Sequence, residues 1–294
     1  MQNVLEFRRK EDAEKIQWVT IVGLSAYTVL SVVALFFFSW QNFAAFMFFW
    51  WLTGSLGVGV GYHRLLTHRG FKTPKWLEYT LSVFGTLALQ GGPIGWVTTH
   101  RLHHAFTETD KDPHSTKGGL YWAHMGWLFT GTAQDNDEAT ILRYAPDLQK
   151  DSVHRFLEKY YVVPTVILAV VLFFIGGFSM VLWGVFLRTT VCLHATWLVN
   201  SANHKWGSRR FETSDDSTNS WWIALLAWGE GWHNNHHANP TVAKHGFVWY
   251  EFDANWVSIS ILRRLGLVTN LKLFDMKKFE ENRANKLVEI KLAA

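Results

Sequence analysis

Residues 43–68 read FAAFMFFWWLTGSLGVGVGYHRLLTH, and this stretch decides the fold. From Phe43 to Tyr62 there is no charge, and the run is close to the roughly 20 residues needed to cross a bilayer as a helix. It ends on His63-Arg64-Leu65-Leu66-Thr67-His68, a pair of potential metal ligands at the membrane boundary. The chain repeats this association of apolar runs and histidines. Trp18 to Trp40 precedes the run as an uncharged partner, and residues 160–178 and 180–199 form a second pair, all free of Lys and Arg except for Arg188. The spacing therefore predicts an all-α, polytopic membrane protein. Four spans, at about 18–40, 43–62, 160–178 and 180–199, form two hairpins under a cytoplasmic cap of histidine boxes, and residues 1–294 make a single domain.

Two other apolar stretches are too short or too interrupted to span. The stretch from Trp76 to Val97 is broken by Gln90-Gly91-Gly92-Pro93, and two crossings do not fit between His68 and His100. It is expected to lie along the membrane or dip into it. Trp221 to Trp228 is likewise too short. The connections at residues 41–42 and 176–179 carry no Lys or Arg, so the opposite face, with both termini and every histidine box, is assigned to the cytoplasm of an inner membrane. The net charge of +4 fits a membrane surface and, with no basic-aromatic interleave outside the apolar runs, not nucleic acid. Cys192, the one cysteine, excludes an intrachain disulfide or iron–sulfur cluster. The charged stretch Glu6 to Lys15 does not read as a cleavable signal.

Nine histidines fall into boxes: His63 and His68; His100, His103 and His104; His204; and His233, His236 and His237. On an α-helix, residues three and four apart are rotated by about 60° and 40°, so each HxxHH box presents three rings on one face. The Hx4H box separates its rings by about 140° on an ideal α-helix, so one of them is expected where a helix ends or bends. Nine imidazoles without thiolates exceed the roughly four ligands, typically including Cys, that close a structural zinc site. They point to two metal ions in a redox centre, with iron preferred.

The boxes and their surroundings resemble the membrane fatty acyl desaturases, in particular the bacterial Δ9 type. The likeness runs over roughly residues 20–250 and includes Gly61-Tyr62-His63-Arg64-Leu65, Asp112-Pro113-His114, Asn200-Ser201-Ala202-Asn203-His204 and Gly229-Glu230-Gly231-Trp232-His233. The resemblance implies two irons. One is held by His63, His68, His100, His104 and His236; the other by His103, His204, His233 and His237, with Asn200 acting through water. Asp112 and Glu230 are expected to orient ligand imidazoles, while His114, His124, His154, His194 and His245 lie outside the ligand set. It also implies a bent acyl tunnel with Gln90, Trp96 and Thr196 at the bend and Trp51 and Ser55 near its closed end.

The implied reaction places a cis double bond, Δ9 in register, in an acyl chain, using O2 and two electrons from an external donor of ferredoxin, rubredoxin or cytochrome b5 type. The carrier is a membrane lipid, acyl carrier protein or coenzyme A. The animal members that use acyl-CoA have Asn, Arg and Asp where this chain has Gly91, Thr98 and Thr99, and a basic pair after the Gly-Trp matching Gly126-Trp127. Their absence weakens the case for coenzyme A. A di-iron hydroxylase or acetylenase is the nearest alternative, and product mass separates them. A zinc membrane hydrolase, separated by metal content, and a metal carrier or scaffold are the rivals from other classes.

Overall fold

A computed structural model describes residues 15–130 and 136–281. Within these the chain is helical, with isolated backbone bridges and no strand. Both termini and Gly131 lie outside the described residues.

Two helices, Trp40–Thr67 and Val163–His204, are long and apolar enough to cross a membrane; Trp18–Ala34 is apolar but has only 17 residues. The expected count of four spans thus differs from the count of continuous helices. Part of the difference lies at Gly176 and Gly177. Gly177 has φ of 68°, a left-handed conformation that favours glycine, and the backbone leaves the helix there. Leu168 and Leu172 from before this break pack against Met180, Val181 and Val185 after it, so the two arms lie side by side. The first connection falls at residues 35–39, slightly ahead of its expected place, with Ser39 capping the next helix through Asn42 N. Phe36 and Phe174 are 81% and 82% exposed, and many apolar neighbours are exposed as well. Such a surface is unfavourable in water and suits contact with lipid.

The Trp51–Thr67 segment is wound as a π-helix, with i→i+5 hydrogen bonds, a rare geometry often found at functional sites. Its glycines allow close contact. A Cβ on Gly57 would lie 2.4 Å from the Phe84 carbonyl carbon, and one on Gly59 would lie 2.1 Å from Asn255 Nδ2. Close approach of the Lys75–Thr86 helix on one side and Asn255 on another thus depends on the absence of side chains at these positions.

The interrupted stretch after the first box forms the helices Lys75–Thr86 and Pro93–Phe106, separated by residues 87–92. Leu89 and Gly91 both have positive φ in the break. Trp221–Leu226 is a six-residue helix, too short to span, that exposes Trp221 and Leu225.

Candidate metal centre and adjoining cavities

The π winding brings the first box together. His68 N donates to His63 O at 3.1 Å across five residues, and their ring centroids lie 4.8 Å apart. His68 is also the residue that caps the helix, in keeping with the expected helix end. The arginine following the first histidine in each of the first two boxes ties the boxes together. Arg101 donates to Leu66 O and Thr67 O, placing a cation at the carbonyl end of the preceding helix. Arg64 bonds Glu230 and Asp253, linking the first box to the segment that leads into the third. Within that third box, Asn234 accepts from the backbone N–H of Arg210 and Phe211, while Asn235 donates to Glu251. The short His233–Ala238 helix is anchored by these two side chains.

All nine histidines converge in two groups. Ring nitrogens of His63, His68, His100, His104 and His236 lie within 4.8 Å of one another, as do those of His103, His204, His233 and His237. Four rings have Nδ1 beside a carboxylate: His63 with Glu230 at 2.7 Å, His103 with Asp112 at 3.0 Å, His204 with Glu108 at 2.9 Å and His237 with Asp215 at 2.9 Å. A neutral imidazole that donates its Nδ1–H leaves a lone pair on Nε2. His63 Nε2 faces His236 Nε2 at 3.1 Å, which faces His104 Nε2 at 2.9 Å; His204 Nε2 faces His233 Nε2 at 2.9 Å. The buried Nε2 atoms of His68 and His237 have no hydrogen-bond partner.

Desolvation, reinforced by neighbouring rings, holds His68, His100, His104, His233 and His236 well below the ordinary histidine pKa, and His237 at about 4. Neutral rings with convergent lone pairs are suited to a metal cation. Burial would raise the carboxyls of Asp112 and Asp215, but the adjoining histidines hold both below their usual range. Glu230 is lowered against burial by Arg64 and His63. These ionised carboxylates fix the tautomers that turn Nε2 inward.

Two cavities adjoin the first histidine group. The larger, about 290 Å³, includes Thr20, Gln90, Trp96, Thr99, His100 and Thr196 in its lining. The smaller, about 60 Å³, reaches Trp50, Gly54, Cys192 and Trp228. Trp96, His100, Thr196 and Asn200 line both, so the cavities meet there. At that meeting point Trp96 Nε1 donates to Gln90 Oε1 at 3.0 Å, and Gln90 Nε2 donates to Thr196 Oγ1 at 2.9 Å.

The Fatty acid desaturase family model matches residues 38–255. The chain belongs to the fatty acid desaturase family. The desaturase is 49% identical over 241 residues to an sn-1 stearoyl-lipid 9-desaturase from Anabaena variabilis, covering 82% of this chain and 88% of the relative. It is 44% identical to an sn-2 palmitoyl-lipid 9-desaturase from Nostoc sp. (strain 36), covering 87% and 90%. An acyl-CoA C20 Delta5-desaturase from Anemone leveillei is 42% identical, with coverage of 90% and 87%. This chain is accordingly a fatty acyl desaturase, an oxidoreductase, and its histidine clusters are compatible with metal binding.

In the desaturase, Gln90, Trp96 and Thr196 are joined by hydrogen bonds, and Asn200 lines the same space. Trp51 and Ser55 do not line either cavity. Ser55 is buried on Asn255 at 2.7 Å and Trp51 packs near Phe48, while Trp50 and Gly54 take the lining positions. The physical reason is the helix winding: counting back from His63, the lining residues are Val58, Gly54 and Trp50, with one five-residue step before two of four.

Sequence reasoning identified the carboxylates Asp112 and Glu230 but missed Glu108 and Asp215. Glu108 lies four residues past His104, close enough to the box to be weighed beside Asp112. Asp215 is 22 residues from its partner His237, and no local pattern joins them. Of the other histidines, His114 packs on His103 and His245 joins Glu230 beside His63 and His236. His124 and His194 pair with each other at 3.0 Å, and His154 bonds Ser82 away from both groups.

Proposed function

We propose that the desaturase is a di-iron enzyme that introduces a cis double bond at position nine of an acyl chain carried on a membrane lipid. The observation that carries this reading is the pair of histidine groups, of five and four, beside a bent and largely apolar space. His63, His68, His100, His104 and His236 would hold one iron. His103, His204, His233 and His237 would hold the other, with Asn200 reaching it through water. Held there, two irons would supply the oxidising power: O2, two electrons from an external donor and two protons, with the two hydrogens taken from adjacent unactivated methylenes, would leave as two waters.

The remaining work belongs to the chain. Gln90, Trp96 and Thr196 hold the bend by hydrogen bonds, so one C–C bond is presented beside His100. Apolar side chains around the smaller cavity exclude water from the distal tail. Position nine and a lipid carrier follow the Anabaena and Nostoc relatives, both lipid 9-desaturases. Among the described residues that line the larger cavity there is no Lys or Arg, and Glu158 contributes a carboxylate. That lining favours a lipid over the phosphates of coenzyme A. Lipid analysis of a host expressing the chain tests the reaction. An acyl product two mass units lighter supports it, whereas a gain of sixteen would show hydroxylation.

Trp50 and Trp228, whose ring centroids are 5.0 Å apart, line the small cavity together. Trp50→Ala should therefore shift products toward longer acyl chains without moving the double bond relative to the carboxyl end. Each added methylene contributes about 0.8 kcal/mol on burial, enough for a several-fold change in preference. Trp51→Ala should leave the profile unchanged. The opposite pattern in product chromatography would return the tunnel end to position 51.

The arms on either side of Gly176-Gly177, with Trp18–Ala34 and Trp40–Thr67, are assigned as four crossings in one domain, with the histidine boxes facing the cytoplasm. Cysteines placed at Ala105 and at Ser179 in a Cys192→Ala background should label from opposite sides. Labelling of both from the same side would contradict this topology.

A further inference from the structure

Arg188 is fully buried, and among the described residues its hydrogen bonds go to carbonyls: Nε donates to Gly184 O at 3.1 Å and Nη1 to Leu87 O. Its position is costly. It lies in the long apolar helix, 11 residues beyond Gly177. A cation at such depth is expected to face the interior and to serve a specific partner. Leu87 is the C-cap of the Lys75–Thr86 helix, so Arg188 meets the partial negative charge of that helix end.

A carboxylate stands at the other side of the same break. Glu158 Oε2 accepts from Ile94 N at 2.7 Å and Gly95 N at 3.1 Å, at the positive end of the Pro93–Phe106 helix. A Cβ on Gly92 would lie 2.4 Å from Glu158 Oε2, so the carboxylate depends on glycine there. Between these two charges run residues 87–92, which contain Gln90. The Pro93–Phe106 helix bracketed by Glu158 carries both Trp96 and His100.

We propose that Arg188 and Glu158 are positioning residues that clamp the helix break from both ends and thereby fix which C–C bond of the acyl chain is oxidised. Neither touches the reacting atoms in this scheme. Arg188 holds the entry to the break, Glu158 holds its exit, and Gln90 between them joins Trp96 and Thr196. A loosened break lets Gln90 shift along the cavity, so the chain sits one or two methylenes deeper or shallower against an unchanged metal group. This inference rests on the acyl-tunnel reading above.

The test is the distribution of double-bond positions in lipids made by the full-length chain in membranes, read by mass spectrometry beside total product. Arg188→Lys, Glu158→Gln and Gly92→Ala are compared with Thr196→Val, which alters the bend itself. The clamp predicts that at least two of the three raise the fraction of misplaced double bonds by roughly tenfold, equivalent to about 1.4 kcal/mol in relative barrier height. Arg188→Met should do so more strongly if it folds, and Arg188→Lys keeps the test available if it does not. Lower total product with unchanged positions in the three variants, while Thr196→Val moves them, would overturn the clamp and leave the tunnel standing. Unchanged positions in all four would overturn the tunnel reading, and the clamp with it.

Discussion

Replacing His236 with Ala should abolish desaturation while the chain still inserts in the membrane. His236 Nε2 stands 3.1 Å from His63 Nε2 and 2.9 Å from His104 Nε2, so it joins rings from three separate segments. Removal of this ring leaves the first group with four histidines from residues 63–104 and none from the third box. His103→Ala should have the same consequence in the second group, where it removes the ring contributed by the Pro93–Phe106 helix. Turnover falling below detection, with iron content reduced and membrane yield retained, is the expected result. Full turnover in both variants would contradict the ligand assignment.

The second large effect concerns the carboxylates behind the rings. Asp215→Asn keeps the side-chain volume, and its carbonyl oxygen can still accept from Ser217 N and Thr213 Oγ1, which now bond Oδ1 at 2.9 and 3.0 Å. The amide NH2 then faces His237 Nδ1. That nitrogen becomes an acceptor, the proton moves to Nε2, and the lone pair needed inside the group is lost. A loss of about 10–100-fold in iron affinity or activity is expected for such a change. Asp112→Asn should act similarly through His103, which it contacts at 3.0 Å. Asp110→Asn, an exposed carboxylate in the loop after the second box, serves as the control and should retain activity. Iron titration of purified protein, with turnover measured on the same samples, distinguishes these outcomes. Undiminished affinity and turnover in Asp215→Asn would mean that the carboxylate does not control the tautomer.

What the sequence made legible depended on how local each signal was. The HxxHH rings at residues 100–104 and 233–237 are set by three- and four-residue spacing, and they converge as helical rotation requires. The Gly176-Gly177 break was readable because uncharged runs flank it at near-membrane length. The π winding was not readable in the same way. It brings His63 and His68 together, and it depends on glycine contacts to Phe84 and Asn255, the latter about 200 residues away in sequence. With the same winding, Trp50 and Gly54 line the cavity, each one residue before the positions, Trp51 and Ser55, that the resemblance implied. Asp215 shows the limit from another direction: its partner is fixed by folding of residues 210–219 against the third box, where Asn219 and Asn234 make the contacts. Arg188 was visible as a lone cation in an apolar run, but its target, the Leu87 carbonyl, has no signature in side-chain chemistry.

The most direct test of the central claim is metal stoichiometry measured together with turnover on one preparation. The purified chain in lipid nanodiscs would be stripped with chelator, reloaded with iron or zinc, and assayed with an acyl lipid, O2 and a reductase system. The two histidine groups predict that activity rises with iron to a plateau at two ions per chain and that zinc gives none. Full activity at one ion per chain, or with zinc alone, would contradict the di-iron account.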